Sequence, residues 1–333
     1  MARVLLVYSN LARFVRIDRD LLAERHEVQE YVQPGLVPRP LELLRKVRRA
    51  DVLVVWFASW HALLPLLLAR LLRRPSLLIV GGFDTASMPE IGYGFQQGGI
   101  RRRLARASMR LATRLMTNSE YSRGELLRNA GLEATVVHHG VPDPFGSLPQ
   151  GERDRLAVTV SNVARIALER KGLRPFVEAG AHAPDVEFAL VGAWTDDAAD
   201  ELRARAAPNV RLTGRLSDEE LDDLLRRASV YVQASRHEGF GMGVAEAMLA
   251  GVVPVVTDAG ALPEVVGDAG IVVAAEPEAI AAGVRRALGL GPEARAAARR
   301  RIEEQFPLEV RRRGLLGLVD GLLAREPVEV GEP

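Results

Sequence analysis

Two carboxylates, Glu238 and Glu246, flank a glycine-rich segment in the second half of the chain. The glycines between them leave backbone N–H groups open to close approach, and they are Gly239, Gly241 and Gly243. The pattern predicts a strand over 229–235 and a helix over 243–250, so that a strand, a bare turn and a helix N-terminus form an anion site. Carboxylates beside such a site accept hydrogen bonds from hydroxyl groups. The segment therefore predicts binding of a diphosphate with a sugar on either side, as in a nucleotide-sugar.

Two cations form a second candidate site in the same half of the chain. Arg165 and Lys171 lie six residues apart, after a predicted strand at 156–161, and Gly172 opens the next helical pattern. Cations at the carboxyl end of a strand favour phosphate. A solvated, charged loop also explains this spacing. Their position in the same half as the two carboxylates favours the phosphate-binding interpretation.

Apolar strand-like runs alternate with helical patterns throughout, which predicts an α/β chain with parallel sheets covered by helices. The clearest predicted strands are 4–8, 52–57, 76–80, 115–118, 135–138, 156–161, 187–191, 210–213, 230–233, 252–257 and 270–273. The clearest predicted helices are 40–49, 61–72, 100–114, 122–130 and 217–227. A loop rich in Pro, Gly and Asp at 140–149 separates two sets of strands. We expect two doubly wound domains facing a central cleft, residues 1–148 and 149–307, with ligands at the carboxyl ends of the strands.

Composition excludes some classes of site and indicates others. The 333 residues include no cysteine, which excludes disulfides and thiolate metal sites. Residues 1–150 carry 21 basic and 13 acidic side chains, although the whole chain has a net charge of only +1. The basic half either meets an anionic partner or associates with the acidic half. The short apolar run at the N-terminus predicts a buried strand and no signal peptide, so we expect a cytoplasmic protein.

Several stretches together resemble the retaining glycosyltransferases of family 4, which have the GT-B fold. They follow the order of that family and are 117–127, 136–141, 164–172, 189–192, 209–214, 217–221, 238–248, 251–256 and 260–264. The resemblance is specific from about residue 115 to 275 and thins toward the N-terminus. It implies transfer of a hexosyl group from a UDP- or GDP-sugar, with no cofactor and no metal ion. It also implies that a C-terminal helix, about 308–333, packs back on the first domain.

Roles for individual residues follow from the resemblance. Glu246 matches the glutamate that binds the ribose hydroxyls, and Glu238 matches the one that faces the donor sugar. Arg165 and Lys171 match the pair that neutralises the diphosphate. Further donor contacts are implied at Gly192, Leu212, Gly239, Phe240, Gly241, Met242 and Gly243. A carboxylate beside cations and a helix N-terminus should stay ionised, so Glu238 is expected to accept hydrogen bonds and not to act as an acid.

Some positions depart from the family pattern. Ala164 and Ala234 stand where the family often has glycine and proline, and the first strand lacks the usual Gly-Gly loop. His61 lies near the position of an acceptor-side histidine in the family, although a histidine that merely begins a helix is the simpler interpretation. Asp18 and Asp20 resemble a metal-binding Asp-x-Asp, but we expect them at the start of a surface helix.

The partners are less constrained by the sequence. The helix predicted at 100–115 carries an apolar stripe and six arginines, so it either packs on the sheet or contacts an anionic membrane at the inner face. We expect a nucleotide-sugar donor, a sugar, lipid or small-molecule acceptor, and no nucleic acid. The alternatives are a nucleotide-sugar-using synthase or phosphorylase of the same fold, and a sugar-binding protein without catalysis.

Overall fold

The computed structural model describes residues 1–148 and 151–324 and divides into two compact units. Unit 1 contains residues 1–140 and the described residues from 308 onward, and unit 2 spans Val141–Pro307. The division lies before the expected boundary at 148, because Val141 forms a β-bridge with Pro307 and Phe145 packs in the core of unit 2. Residues 325–333, which the sequence assigned to a terminal helix, lie outside the described residues.

Unit 1 contains a parallel six-stranded sheet. Its strands are β1 (Arg3–Tyr8), β2 (Glu27–Val32), β3 (Val52–Trp56), β4 (Ser76–Ile79), β5 (Arg114–Thr117) and β6 (Thr135–Val136), in the order β2-β1-β3-β4-β5-β6. Strand β3 is buried along its whole length, which explains its continuous apolar sequence. Strand β2 is absent from the prediction because it is polar and only partly buried at the edge of the sheet.

Five helices of unit 1 connect these strands. They are α1 (Arg13–Ala23), α2 (Pro40–Arg49), α3 (Leu63–Leu71), α4 (Gly99–Leu111) and α5 (Glu120–Ala130). Helix α4 buries its predicted apolar stripe only in part. Its buried residues are Ala105, Ser108 and Met109, whereas Ile100 is 66% exposed. The other apolar residues of the stripe in this helix, Leu104, Ala107 and Leu111, are half-buried.

Unit 2 contains a second parallel six-stranded sheet. Its strands are β7 (Asp154–Val160), β8 (Glu187–Val191), β9 (Val210–Gly214), β10 (Ala228–Gln233), β11 (Val253–Thr257) and β12 (Ile271–Val273). Their order is β12-β11-β10-β7-β8-β9, so the chain reverses its direction of winding between β7 and β10. In doubly wound sheets, ligands bind outside the carboxyl ends of the strands at this switch point. The topology therefore predicts a ligand site at the loops that follow β7 and β10.

The helices of unit 2 cover both faces of its sheet. They are α6 (Arg165–Arg170), α7 (Leu173–Ala179), α8 (Ala198–Arg205), α9 (Asp218–Arg227), α10 (Met242–Leu249), α11 (Leu262–Val266), α12 (Pro277–Leu288) and α13 (Pro292–Gln305). Helix α9 begins with the capping box that its sequence predicts, in which Ser217 and Glu220 each accept a hydrogen bond from the other's backbone N–H group.

Helix α14 (Leu308–Ala324) belongs to unit 1 and is joined to α1 by a buried ion pair. The Arg311 guanidinium donates to Asp18 at 2.8 and 2.6 Å, and both side chains are fully buried. The expectation that Asp18 starts a surface helix was wrong, since it lies inside α1 and faces α14. No helix among the described residues is long and apolar enough to cross a membrane.

Candidate functional site

Lys171 and Glu238 meet at the switch point of unit 2. Lys171 caps the C-terminus of α6, the helix after β7, while Glu238 follows β10 by five residues. The Lys171 ammonium group donates a hydrogen bond to Glu238 Oε1. The Lys171 side chain is 20% exposed and that of Glu238 is 10% exposed, so the pair is largely shielded yet still reachable from solvent. Two residues that the sequence placed in one phosphate- and sugar-binding site are therefore in direct contact.

A buried polar network holds Glu238 in place. Gln233 Nε2 donates to Glu238 Oε1 at 3.1 Å and to Ser235 Oγ at 2.7 Å, and Ser235 Oγ donates to the same carboxylate oxygen at 3.0 Å. The Tyr231 hydroxyl donates to Gln233 Oε1 at 3.2 Å, which fixes the orientation of the amide. Together with Lys171, three donors converge on one oxygen, so the carboxylate is fixed before any ligand arrives.

The Glu238 carboxyl is held in its charged form. Burial alone would raise its pKa, but the positive charges of Lys171 and Arg170 and the hydrogen bonds from Lys171 and Ser235 outweigh burial, and the pKa is lowered. Glu238 can therefore accept hydrogen bonds at neutral pH and is poorly suited to donate a proton. The sequence-based expectation of an ionised carboxylate agrees with this direction.

Close backbone packing brings the α6–α7 turn to the end of β10. Gly172 has φ +63°, and a Cβ there would lie 1.9 Å from the Ala234 carbonyl oxygen, so only glycine fits. The Arg236 N–H group also donates to the Arg170 carbonyl oxygen at 2.8 Å. These two contacts hold the Lys171 side chain within hydrogen-bonding distance of Glu238. Ala234, a departure from the family pattern, contributes its carbonyl to this packing.

Helix α10 begins directly after the glycine-rich turn and carries the second carboxylate, Glu246. Gly241 is its N-cap residue and no side chain caps it, so its first-turn N–H groups are directed toward the turn. Gly243 packs on the buried Tyr231, because a Cβ at Gly243 would lie 2.5 Å from the Tyr231 hydroxyl. Burial raises the Tyr231 pKa, and the charges of Glu238 and Glu246 raise it further. Tyr231 thus lies within the field of both carboxylates.

The side chain of Phe240 packs in the hydrophobic core, so only its backbone can face a ligand. It is 4% exposed and makes an edge-to-face contact with Phe306 at 5.2 Å between ring centroids. Met242 and Gly243, which follow it, are half-buried in the first turn of α10. Gly239 is half-buried in the preceding turn. The amide roles expected for this segment are compatible with these positions.

Arg165 is not part of the Lys171–Glu238 pair. Its side chain is 60% exposed and pairs with Asp197 and with Glu201, and its N–H group donates to Asp196 at 2.9 Å. Arg165 and Lys171 stand at opposite ends of α6, and a helical rise of 1.5 Å per residue separates their Cα atoms by about 9 Å along the axis. The expected cation pair is therefore divided between two different sets of carboxylates.

Gly192 lies just beyond the carboxyl end of β8, whereas Leu212 lies in the middle of the neighbouring strand β9. Gly192 follows β8, and its N–H group donates to the Gly214 carbonyl oxygen at 3.0 Å, so this amide already serves the sheet. Leu212 pairs with Leu190 across β8 and β9 and is half-buried against the core. Both residues lie on the β9 side of the switch point.

His61 belongs to unit 1 and is buried among its own neighbours. It is 1% exposed, and its Nε2 lies 2.7 Å from the Trp56 carbonyl oxygen. Burial lowers its pKa, an effect that the carbonyl contact only partly offsets. The neutral form is therefore favoured, with Nε2 carrying the proton that reaches Trp56. The structure joins the His61 side chain to the end of β3, as expected of a histidine that shapes the start of a helix.

A buried carboxyl group that the sequence did not indicate lies beyond the carboxyl end of β4 in unit 1. Asp84 Oδ2 accepts from the Ala58 N–H group and Oδ1 from the Gly81 N–H group, each at 2.8 Å. These two hydrogen bonds join the loop after β3 to the loop after β4, which contains Gly81 and Gly82. Burial raises the Asp84 pKa to about 7, although the backbone hydrogen bonds oppose this shift.

Sequence reasoning missed the residues that support Glu238. Tyr231, Gln233 and Ser235 were treated only as part of a strand, and Arg170 only as part of a charged loop. Gln233 and Ser235 are polar residues at the carboxyl end of an otherwise apolar buried strand. That contrast was the available signal, because a buried polar side chain needs a partner.

Comparison with known proteins shows which family this part of the chain resembles. Residues 157–289 match the family model described as glycosyl transferases group 1. The MMP alpha-(1->4)-mannosyltransferase of Mycolicibacterium hassiacum is 30% identical over 184 residues, which cover 54% of this chain and 43% of that protein. The GDP-mannose:cellobiosyl-diphosphopolyprenol alpha-mannosyltransferase of Komagataeibacter xylinus is 38% identical over 96 residues, covering 27% and 24%. The chain thus spans less than half the length of either relative.

A solved structure shares the fold over nearly the whole chain. An Anabaena protein in complex with UDP and glucose matches with a TM-score of 0.76 at 18% identity, covering 96% of this chain and 100% of that one. Two parallel six-stranded sheets with helices on both faces are the GT-B fold. The predicted α/β class, with two doubly wound parallel sheets, is confirmed.

Proposed function

We propose that this chain, whose residues 157–289 match the family model of the glycosyl transferases of group 1, moves a sugar from a nucleotide-sugar donor to an acceptor. The observation that carries the proposal is the contact between Lys171 and Glu238 at the switch point of unit 2, beside the uncapped N-terminus of α10. A cation, a helix N-terminus and a fixed carboxylate are what a diphosphate joined to a sugar requires.

The proposed chemistry depends on charge that develops on the leaving group. Cleavage of the bond between the anomeric carbon and the phosphate oxygen leaves negative charge on the nucleoside diphosphate. The Lys171 ammonium and the first-turn amides of α10 stabilise that charge in a preformed, largely buried site. We assign the reaction to transfer with retention at the anomeric carbon and without a metal ion. Arg165 contributes when its guanidinium leaves Asp197 for the diphosphate.

The two carboxylates divide the rest of the donor. Glu238, ionised and held by Gln233 and Ser235, accepts hydrogen bonds from hydroxyl groups of the donor sugar. Glu246, on α10, accepts from the ribose hydroxyls, and the part of β9 around Leu212 meets the base. The names of the two relatives favour mannose as the sugar, and one favours GDP as its carrier. We therefore propose a GDP- or UDP-sugar, with GDP-mannose as the first donor to test.

The acceptor is assigned to unit 1. Residues 1–150 are basic, with 21 basic against 13 acidic side chains, which supports an anionic acceptor or a peripheral contact with an anionic membrane. We assign His61 a structural role in the acceptor-binding unit. Its ring is buried against Trp56, so it does not contact the reacting atoms.

A thermal-shift screen of nucleoside diphosphates and nucleotide-sugars tests the proposal. A ligand that binds the native state raises its apparent stability, so GDP or UDP should raise the melting temperature and free mannose should not. Incubation with the donor alone, and then with inorganic phosphate, separates transfer from phosphorolysis, because a phosphorylase releases sugar phosphate. Failure of every nucleotide to stabilise the chain, with stabilisation by free sugars, would instead establish a sugar-binding protein.

A further inference from the structure

Helix α4 of unit 1 borders a cavity with an unusually basic lining. The cavity has a volume of about 550 Å³ and is lined by Gly98, Gly99, Arg102, Arg103, Arg106, Ala107 and Arg110. Its volume lies within the range of small-molecule sites, about 300–1,000 Å³. Four of the lining residues are arginines and none is acidic. This cavity belongs to unit 1, whereas Lys171 and Glu238 belong to unit 2.

The positive charge of the cavity has no compensation from the described part of the chain. Arg102, Arg103 and Arg110 form no ion pair or hydrogen bond with the described residues, although the chain has 43 acidic residues and pairs many of its surface arginines with them. The first turn of α4 also contains no acidic residue. Cations near a helix N-terminus and like charges four residues apart are both unfavourable. An anionic ligand would relieve both effects.

Arg106 is fixed in the middle of this group. Its Nε donates to Gln96 Oε1 at 3.0 Å, and its guanidinium also donates to the Asn129 carbonyl oxygen. Gln96 is itself buried and donates to the Asp84 carbonyl oxygen at 2.8 Å. Burial of the guanidinium group lowers the Arg106 pKa, and the charges of Arg102 and Arg110 lower it further. The central guanidinium is thus preorganised by neutral partners that leave its charge unpaired.

The spacing of the arginines indicates the size of the ligand. Arg102, Arg106 and Arg110 recur every four residues and share one face of α4, and the first and last are about 12 Å apart along the axis. Two linked or nearby phosphoryl groups can contact more of this row of arginines at once than one group can. Guanidinium groups bind phosphoryl oxygens with paired, charge-assisted hydrogen bonds. We propose that this cavity binds a ligand that carries two or more phosphoryl groups.

Isothermal titration of the full chain with inorganic pyrophosphate tests the proposal. The titrations use a Lys171→Met background, so that binding at the candidate site of unit 2 is weakened. We expect the Arg102→Gln/Arg110→Gln variant to lose at least about tenfold in affinity, the effect of one charge-assisted hydrogen bond. The control is Arg45→Gln/Arg49→Gln, which removes two exposed arginines, four residues apart, from α2. It should leave the affinity unchanged.

A second measurement separates a soluble ligand from a lipid headgroup. Sedimentation with vesicles of phosphatidylcholine, alone or mixed with phosphatidic acid, is compared for the same variants. Loss of binding to phosphatidic acid only in the α4 variant identifies phosphoryl groups of a lipid, and pyrophosphate binding without vesicle binding identifies a soluble ligand. The proposal is overturned if pyrophosphate and the vesicles both fail to bind. It is also overturned if the α4 and α2 variants lose binding equally.

Discussion

Lys171 donates a hydrogen bond to Glu238 across 67 residues of sequence, at the point where the sheet of unit 2 reverses its winding. The pair places a cation and a fixed carboxylate side by side, largely shielded from solvent. A diphosphate needs the cation and a sugar needs the carboxylate, so this one contact joins the two halves of the proposed donor site.

Glu238→Gln tests the role of the carboxylate in sugar recognition. The amide keeps the size of the side chain but removes its charge, so hydroxyl groups of the sugar lose a charge-assisted partner. We expect release of nucleoside diphosphate from the nucleotide-sugar to fall by roughly 100-fold, about 2.7 kcal/mol in activation free energy. Nucleoside diphosphate affinity should change little, as measured by titration calorimetry.

Glu169→Gln is the matched control for that variant. Glu169 lies on α6, its side chain is 44% exposed, and it pairs with Arg174 and Arg236 and not with Lys171. Its turnover should stay within about twofold of the unmodified chain, since exposed ion pairs contribute little. Equal turnover in the Glu169 and Glu238 variants would remove Glu238 from the site.

Gly243→Ala tests the packing beneath α10. The new methyl group would lie 2.5 Å from the Tyr231 hydroxyl, so the helix N-terminus must move. We expect a loss of about 1–3 kcal/mol in the free energy of unfolding and weaker nucleotide binding, measured by chemical denaturation and calorimetry.

A second substitution makes that prediction specific. Tyr231→Phe removes the hydroxyl, and the nearest remaining atom in that ring would be 3.5 Å from the new Cβ. The double variant should therefore recover much of the lost stability. Gly317→Ala is the control, because Gly317 lies in α14 with no atom within 4 Å of an added Cβ. Additive losses in the double variant would show that the clash is not the cause.

The sequence predicted the residues of the proposed donor site better than the residues that support them. Alternation of apolar runs identified the strands after which Lys171 and Glu238 lie, and the glycine spacing identified the turn before α10. The division of Arg165 from Lys171 depended on a six-residue helix between them and on the carboxylates of Asp197 and Glu201, which are distant in sequence. Such pairings come from tertiary structure and leave no local pattern.

The same reason explains the error at Asp18. Its helix has no unusual local sequence, and the residue that buries it, Arg311, lies 293 positions away. For α4, the periodicity suggested an apolar stripe, but the fully buried residues of the helix are Ala105, Ser108 and Met109. Local periodicity therefore identified these helices while tertiary packing decided which face is buried.

Asp18→Ala tests the buried pair of unit 1. Loss of the carboxylate leaves the Arg311 charge buried, with Asn118 and the Val137 carbonyl as its remaining partners. We expect a loss of about 3–5 kcal/mol in the free energy of unfolding. Asp20→Ala removes an exposed carboxylate that pairs with Arg19, and it should change stability by less than about 1 kcal/mol. Similar losses in both variants would contradict the assignment of a structural pair.

Asp84 predicts a pH dependence of stability. Its folded pKa of about 7 lies above the ordinary value of 3.8, so the folded chain holds the proton more tightly than the unfolded chain. The stability contributed by this carboxyl is fully present below pH 3.8 and is lost as the pH rises through about 7. Asp84→Asn cannot titrate, so the stability of the unmodified chain relative to this variant should fall between these pH values. A constant difference across that window would contradict the shifted pKa.

The most direct test of the donor site is the binding of GDP and UDP to three forms of the chain, measured by titration calorimetry. The chain contains only two lysines, Lys46 and Lys171, so Lys46→Met on α2 is a natural control for Lys171→Met. We predict that Lys171→Met weakens binding of the preferred nucleotide by roughly 10- to 100-fold, the effect of one charge-assisted hydrogen bond. Lys46→Met should leave it unchanged. Equal affinity in the Lys171→Met variant and the unmodified chain would contradict the donor site.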